Sequence, residues 1–160
     1  MNTSSADLTV TLPRKRTGAA VLFSAPDGRA LLLEPAYKDF WEIPGGVVEM
    51  NESPHDAATR EIQEKLGLSV RVGRLLVVDW EPPRTDRTEG IMFIYAGGSL
   101  DPLQENDIRL DPAEMRSWCW STRSEINTRL PKILARRVTT AMLALTEGTT
   151  PYLEDGSFVS

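Results

Sequence analysis

Apolar positions fall in short blocks separated by proline, glycine and charge, followed by one long block at helical spacing near the end of the chain. Residues 17–24 (TGAAVLFS) read as a buried strand. Pro26-Asp27-Gly28 is a turn signal and residues 30–34 form a second apolar run, so the pattern predicts a hairpin. Residues 41–43 predict a short strand cut off by Pro44 and two glycines. Residues 69–80 first alternate at Val70 and Val72 and then become continuously apolar, as in a strand passing from sheet edge to sheet centre. Residues 90–98 predict the next strand. The charged, proline-bearing segments 81–89 and 99–114 predict loops. Trp118 and Trp120 fall on one face of a short strand, after which Ser121 or Thr122 can cap a brief helix containing Glu125 and Ile126. In residues 131–147, Ile133, Leu134, Val138, Ala141, Met142 and Leu145 recur at helical spacing with Arg136 and Arg137 at the flank, predicting a terminal amphipathic helix packed on the sheet.

One stretch, residues 45–68 (GGVVEMNESPHDAATREIQEKLGL), combines glycines, carboxylates and helix signals. Ser53-Pro54 reads as N-cap and first-turn proline, the helix runs from about Pro54 to Leu66, and Gly67 stops it in the left-handed conformation while Leu68 folds back on the last turn. Strands and helices mix without regular alternation, so the fold class is α+β, an α/β sandwich with a mixed sheet. The organisation predicted is a flexible lead-in over residues 1–16, a single domain over 17–148 and a tail over 149–160.

Composition narrows the function classes. With 160 residues, 41% apolar and 26% charged, the chain fits one globular domain. No apolar run approaches the roughly 20 residues of a membrane helix, and the N-terminus lacks a basic start followed by an apolar core; no membrane association and a cytoplasmic location are expected. The net charge of −5 argues against a nucleic-acid partner, whose backbone demands a basic surface. Arg14-Lys15-Arg16 reads as solvated linker. Cys119, the single cysteine, lies between tryptophans and reads as a buried inert thiol.

The acidic stretch carries the candidate chemistry. At ~100° per residue, Glu61 and Glu64 lie ~60° apart on one helical face and can aim at one ion, whereas Ile62 and Leu66 turn toward the sheet. Hard cations such as Mg²⁺ take one or two carboxylates together with water and substrate phosphates, so paired acids suggest a phosphate substrate. Glu52 can reach Arg60 and fix the loop over the helix, and Gly45 and Gly46 let main-chain carbonyls approach a metal. Two acids at this spacing are by themselves commonly a solvated face; the joint pattern Gly46, Glu52, Arg60, Glu61, Glu64, Gly67 is more specific.

These residues resemble the Nudix box, GX5EX7REUXEEXGU with U aliphatic, and the lead-in Trp41-Glu42-Ile43-Pro44-Gly45-Gly46 is similar to the family's approach to it. The likeness covers roughly residues 17–145. It implies an α/β/α sandwich with a loop-helix-loop box, and Mg²⁺- or Mn²⁺-dependent hydrolysis, with water as nucleophile, of a nucleoside diphosphate linked to another group. It implies Glu61, Glu64 and Glu114 as catalytic, Gly45, Glu61 and Glu64 toward the metal, and Gly46, Glu52, Arg60 and Gly67 as supports. A homodimer is common in the family. The departure is Lys65, in place of the second Glu of the EE pair. A lysine cannot bind a cation, and in the i, i+4 order it is expected to pair with Glu61 and compete for that ligand. Three outcomes stay open: Mg²⁺ is retained through Glu61, Glu64, the Gly45 carbonyl and a later acid; Lys65 holds a substrate phosphate; or hydrolysis is lost and the scaffold only binds or senses a nucleotide or nucleotide sugar.

For the later acid Glu114 is the best match, with Glu89, Glu105 and Asp107 as rivals. His55, the only histidine, reads as an exposed helix residue rather than a base. Trp41 is the candidate to stack a base; Trp80, Phe93 and Tyr95 are expected in the core. Arg84 and Arg87 are candidates to contact phosphates.

Overall fold

A computed structural model describes residues 4–160. Helix α1 (Ser5–Thr11) precedes strands β1 (Arg16–Phe23), β2 (Ala30–Pro35) and β3 (Gly45–Val47), then helix α2 (Pro54–Leu66) and strands β4 (Leu75–Glu81) and β5 (Gly90–Gly98). Helix α3 (Pro102–Asp107), strand β6 (Met115–Ser121), helices α4 (Arg123–Arg129) and α5 (Lys132–Glu147), and strands β7 (Tyr152–Glu154) and β8 (Ser157–Phe158) complete the order.

The main sheet is mixed, in the order β3-β1-β5-β4-β7-β8, with β1/β5 and β4/β7 parallel. Its strands are apolar on both faces because each face is covered. Alternate residues of β1 divide between two cores: Val21 and Phe23 join Ala57, Ala58, Ile62 and Leu66 of α2. Leu22 joins Val138 and Ala141 of α5. The result is an α/β/α sandwich. The sheet continuity places the start of the box: β3 pairs antiparallel with β1, Gly45 opposite Ala20 and Gly46 opposite Ala19. Gly45 is buried there, and an added Cβ would come within 2.5 Å of the Ala19 carbonyl oxygen.

Several expectations need correction. The predicted β1–β2 hairpin is not formed beyond one bridge, Ser24 to Ala30; β2 pairs instead with β6 in a separate two-stranded sheet. The predicted strand over residues 69–80 begins only at Leu75, and the regular pairing near residue 43 starts at Gly45. The segment 99–114 contains α3. Residues 1–3 of the lead-in lie outside the described residues, but residues 5–11 form a helix with a capping box between Ser4 and Asp7 and no buried residue. Residues 149–160, expected as a tail, carry β7 and β8: β7 adds parallel to β4, and Leu153 is fully buried. Among the described residues no helix is long and apolar enough to cross a membrane.

Candidate active site

Helix α2 is fixed at both ends by local chemistry. Ser53 Oγ accepts from the Asp56 N–H at 3.0 Å, Pro54 opens the first turn, and Gly67, at φ 66°, closes it with its N–H donating to the Gln63 carbonyl. Ile62 and Leu66 are fully buried against the sheet, which leaves the acidic face turned toward β3 and the box loop. The loop is tied back at two points: the Val48 N–H donates to Thr17 O, and the Glu49 N–H donates to Glu52 Oε2.

Arg60 holds this arrangement together. Its Nε donates to Glu52 Oε1 at 2.7 Å and Nη2 to Glu52 Oε2 at 3.0 Å, a bidentate pair, while Nη2 also donates to the Val47 carbonyl. Its Nη1 donates to Glu61 Oε1 at 3.0 Å and Glu64 Oε2 at 3.2 Å. The Arg60 pair, helped by the Glu49 N–H, holds the Glu52 carboxyl down to about 2. The Arg60 guanidinium is raised above its ordinary value, chiefly by Glu52. Glu61 is buried, and its carboxylate rests on Gly46, where an added Cβ would collide with Oε1. The Glu64 side chain is 57% exposed.

Residues of the box floor open into a cleft of about 870 Å³ beside Gly45, Gly46 and Glu52. Six basic side chains line it, Arg14, Lys15, Arg16, Lys38, Lys65 and Arg137, against the carboxylates of Glu42, Glu49 and Glu52; Tyr37, Met92 and Phe93 add apolar surface. The cleft is cationic in a chain that is anionic as a whole. Arg137 is buried and donates from Nε to Asp79 at 2.6 Å and from Nη2 to Glu81 at 2.7 Å. Burial pushes the Glu81 carboxyl up, but its pairs with Arg137 and Arg16 outweigh that and leave it lowered.

The structure gathers Gly45, Gly46, Glu52, Arg60, Glu61 and Glu64 at one place, while Gly67 caps the far end of α2 beside Arg109. Lys65 is there too, but not paired with Glu61: its Nζ donates to Glu42 Oε1 at 3.0 Å. An in-helix partner was displaced by one from the lead-in to the box, which no helical spacing reveals. The other expected contacts lie elsewhere. Glu114 is an exposed turn residue outside the cleft lining, tied by main-chain bonds to Asp111 and Ala36. Of its rivals, Glu89 pairs with Lys15 and the Trp80 indole, and Glu105 accepts from the Trp120 indole. One face of Trp41 carries the Arg129 guanidinium at 4.7 Å, and the ring packs against the α5-side core, away from the cleft lining. Arg84 is paired with Asp155 and Arg87 with Asp86, both off the cleft. His55 bonds the Val72 carbonyl and meets the Tyr95 ring edge-on. Cys119 is half-buried rather than buried and accepts from Arg129. Sequence reasoning passed over Lys38, Glu42 and the 14–16 cluster as cleft residues; the one signal for the last was its position just before β1.

The donor set fits a hard divalent cation at Glu61 Oε2 and Glu64 Oε1, the oxygens that Arg60 leaves free among the described residues. Glu61 and Glu64 converge on a single cationic nitrogen of Arg60, and the glycine at 46 leaves the room that Glu61 occupies. Among the described residues no three acidic, histidine or cysteine side chains form a metal centre by themselves. If such an ion binds, main-chain carbonyls, water and substrate phosphates would complete its coordination, as is usual for Mg²⁺.

A sandwich that presents a loop-helix-loop with an Arg60-centred acidic cluster beside a cationic cleft defines a scaffold of the pyrophosphate-cleaving hydrolase kind. The NUDIX domain family matches residues 14–142, and the chain belongs to the Nudix family. It is 28% identical over 116 residues to a MutT-like protein of Streptomyces ambofaciens, covering 72% of this chain and 70% of that one. It is 30% identical over 106 residues to diphosphoinositol polyphosphate phosphohydrolase 2 of Rattus norvegicus, covering 66% of this chain and 57% of the relative, so the chain spans little more than half of that protein. A UDP-X diphosphatase structure superposes with a TM-score of 0.70 at 16% identity, covering 95% of this chain and 76% of that one, a likeness of fold.

Proposed function

We propose that the protein is a metal-dependent Nudix pyrophosphohydrolase that cleaves the diphosphate bond of a small, multiply phosphorylated nucleotide-type substrate with water as nucleophile. The observation that carries this reading is the Arg60 network, which holds Glu52, Glu61 and Glu64 together next to Gly46 at the edge of the cationic cleft. Glu61, Glu64 and the Gly45 carbonyl are the groups that would hold Mg²⁺ or Mn²⁺. When bound, such an ion neutralises phosphate charge and makes its water more acidic. Arg60 fixes the two carboxylates and, through Glu52, the loop over them. Glu64, the exposed member of the pair, would accept the proton of the attacking water. The basic side chains of the cleft orient the phosphates.

The relatives' names set the substrates to try: a diphosphoinositol polyphosphate and UDP-linked compounds, with ADP-ribose as a further nucleoside diphosphate. Each is incubated with Mg²⁺, Mn²⁺ or a chelator, and phosphate-containing products are counted. Turnover of at least one substrate that requires the ion is expected, and Glu64→Gln should lower it by about 10²–10⁴-fold. Absence of ion-dependent cleavage across the panel would sink the reading. The binding-only alternative rests on Lys65 standing where the box pattern carries a carboxylate; its ammonium bonds Glu42 rather than Glu61, so it does not compete for Glu61.

A further inference from the structure

Lys65 occupies the position where the box pattern carries a carboxylate, and its ammonium is engaged from outside the helix. Glu42 Oε1 accepts from Lys65 Nζ at 3.0 Å, and Glu42 Oε2 is 2.6 Å from Lys38 Nζ. The Lys65 and Glu42 side chains are only 14% and 12% exposed, yet Lys38, Glu42 and Lys65 all line the cleft. Lys38 also lies over the Tyr37 ring, 5.6 Å from its centroid. One carboxylate therefore bridges two ammonium groups drawn from the loop after β2 and from the last turn of α2.

Three readings of this triad can be separated physically. As a metal ligand Glu42 is poorly placed, since both its oxygens are taken by cations that would repel a divalent ion. As a stabilising ion pair it is weak, because desolvating three charged groups offsets most of their attraction. As an anion receptor it fits: two ammoniums and one carboxylate leave one net positive charge. An ammonium has three N–H donors, and among the described residues Glu42 is the only side-chain acceptor bonded to either lysine, so each keeps donors to spare.

We propose that Lys38 and Lys65 form a cationic clamp for a phosphate of the substrate, with Glu42 the positioning residue that sets both ammoniums. The assignment rests on the pyrophosphohydrolase reading for the chemistry of its ligand. Binding at this clamp needs no metal.

The test is calorimetric binding of inorganic pyrophosphate to the full chain in chelator. The wild type binds; Lys65→Met and Lys38→Met each weaken binding about tenfold or more, the scale of one charge-assisted hydrogen bond. Lys65→Arg restores most of it. Glu42→Gln weakens pyrophosphate binding too and raises KM more than it lowers kcat, while Mn²⁺ affinity read by electron paramagnetic resonance stays at the wild-type value. No binding in chelator, or unchanged binding in both Lys→Met variants, overturns the clamp; a fall in Mn²⁺ affinity in Glu42→Gln moves Glu42 to the metal and overturns it equally. Lys38, on an exposed loop, keeps the test valid if Lys65→Met unfolds. Ion-dependent turnover with lysine-independent binding removes the clamp alone, whereas lysine-dependent binding without turnover removes the hydrolase reading alone.

Discussion

Four carboxylates, those of Glu49, Glu52, Glu61 and Glu64, lie within 3.9 Å of one guanidinium. At this scale the box is an electrostatic problem solved by Arg60, and its pH dependence has a definite sign. The Glu52 carboxyl falls from its ordinary 4.5 to about 2 in the folded protein. A group lowered by folding stabilises above its unfolded value and loses that contribution as pH falls. The loop tether should thus be intact above pH 4.5 and fade toward pH 2. Acid unfolding followed by circular dichroism should be less steep in that window for Glu52→Gln than for the wild type. Gly46 makes a second prediction. Gly46→Ala would drive Cβ into the Glu61 carboxylate, so ion-dependent turnover should drop at least tenfold while the far-ultraviolet spectrum stays native. Retained turnover would mean that Glu61 can move without cost. The residue scale is also where sequence was least informative. The partner of Lys65 was set by tertiary proximity of Glu42, and Trp41, Arg84 and Arg87 were claimed by Arg129, Asp155 and Asp86.

Among elements, α2 is the one whose making and breaking decide the site. Its N-cap, first-turn proline and left-handed Gly67 are local signals, which is why its limits could be read from residues alone. The same holds for β5 and α5, whose bounds follow from clean apolar runs and helical spacing. β2 shows the opposite. Its apolar run identified a strand but not a partner, and its partner β6 lies more than 80 residues away at Glu34 and Ser117. Apolar periodicity says that a face is covered, not what covers it. Packing of α2 is tested by Ile62→Ala, a fully buried position where about 2–5 kcal/mol of stability should be lost in denaturant titration. Gly67→Ala, at φ 66°, should cost about 1–2 kcal/mol by the same measurement because a side chain is strained in the left-handed region. A loss near zero at either position would show that the helix is not anchored as described.

For the whole molecule the terminal hairpin matters more than its length suggests. Leu153 is fully buried, β7 extends the sheet beside β4, and the Gly156 N–H donates to the buried Asp79 carboxylate at 3.1 Å. Removing residues 151–160 should lower the melting temperature by several degrees and expose the β4 edge, read by thermal scanning and by light scattering. An unchanged melting temperature would mean the hairpin merely rests on the sheet.

The Asp79 site also has a consequence in time. Among the described residues, the Asp79 side chain, in the middle of the sheet, is satisfied only by Arg137 and Gly156, both made much later in synthesis. Closing the sheet before they arrive would leave a buried carboxyl without partners, which disfavours early closure of that half. The parallel pairing of β4 with β7 closes a long loop and adds to the delay. The acidic helix is capped from its own sequence, whereas the cleft beside it depends through Arg137 on an ion pair between residues 58 positions apart.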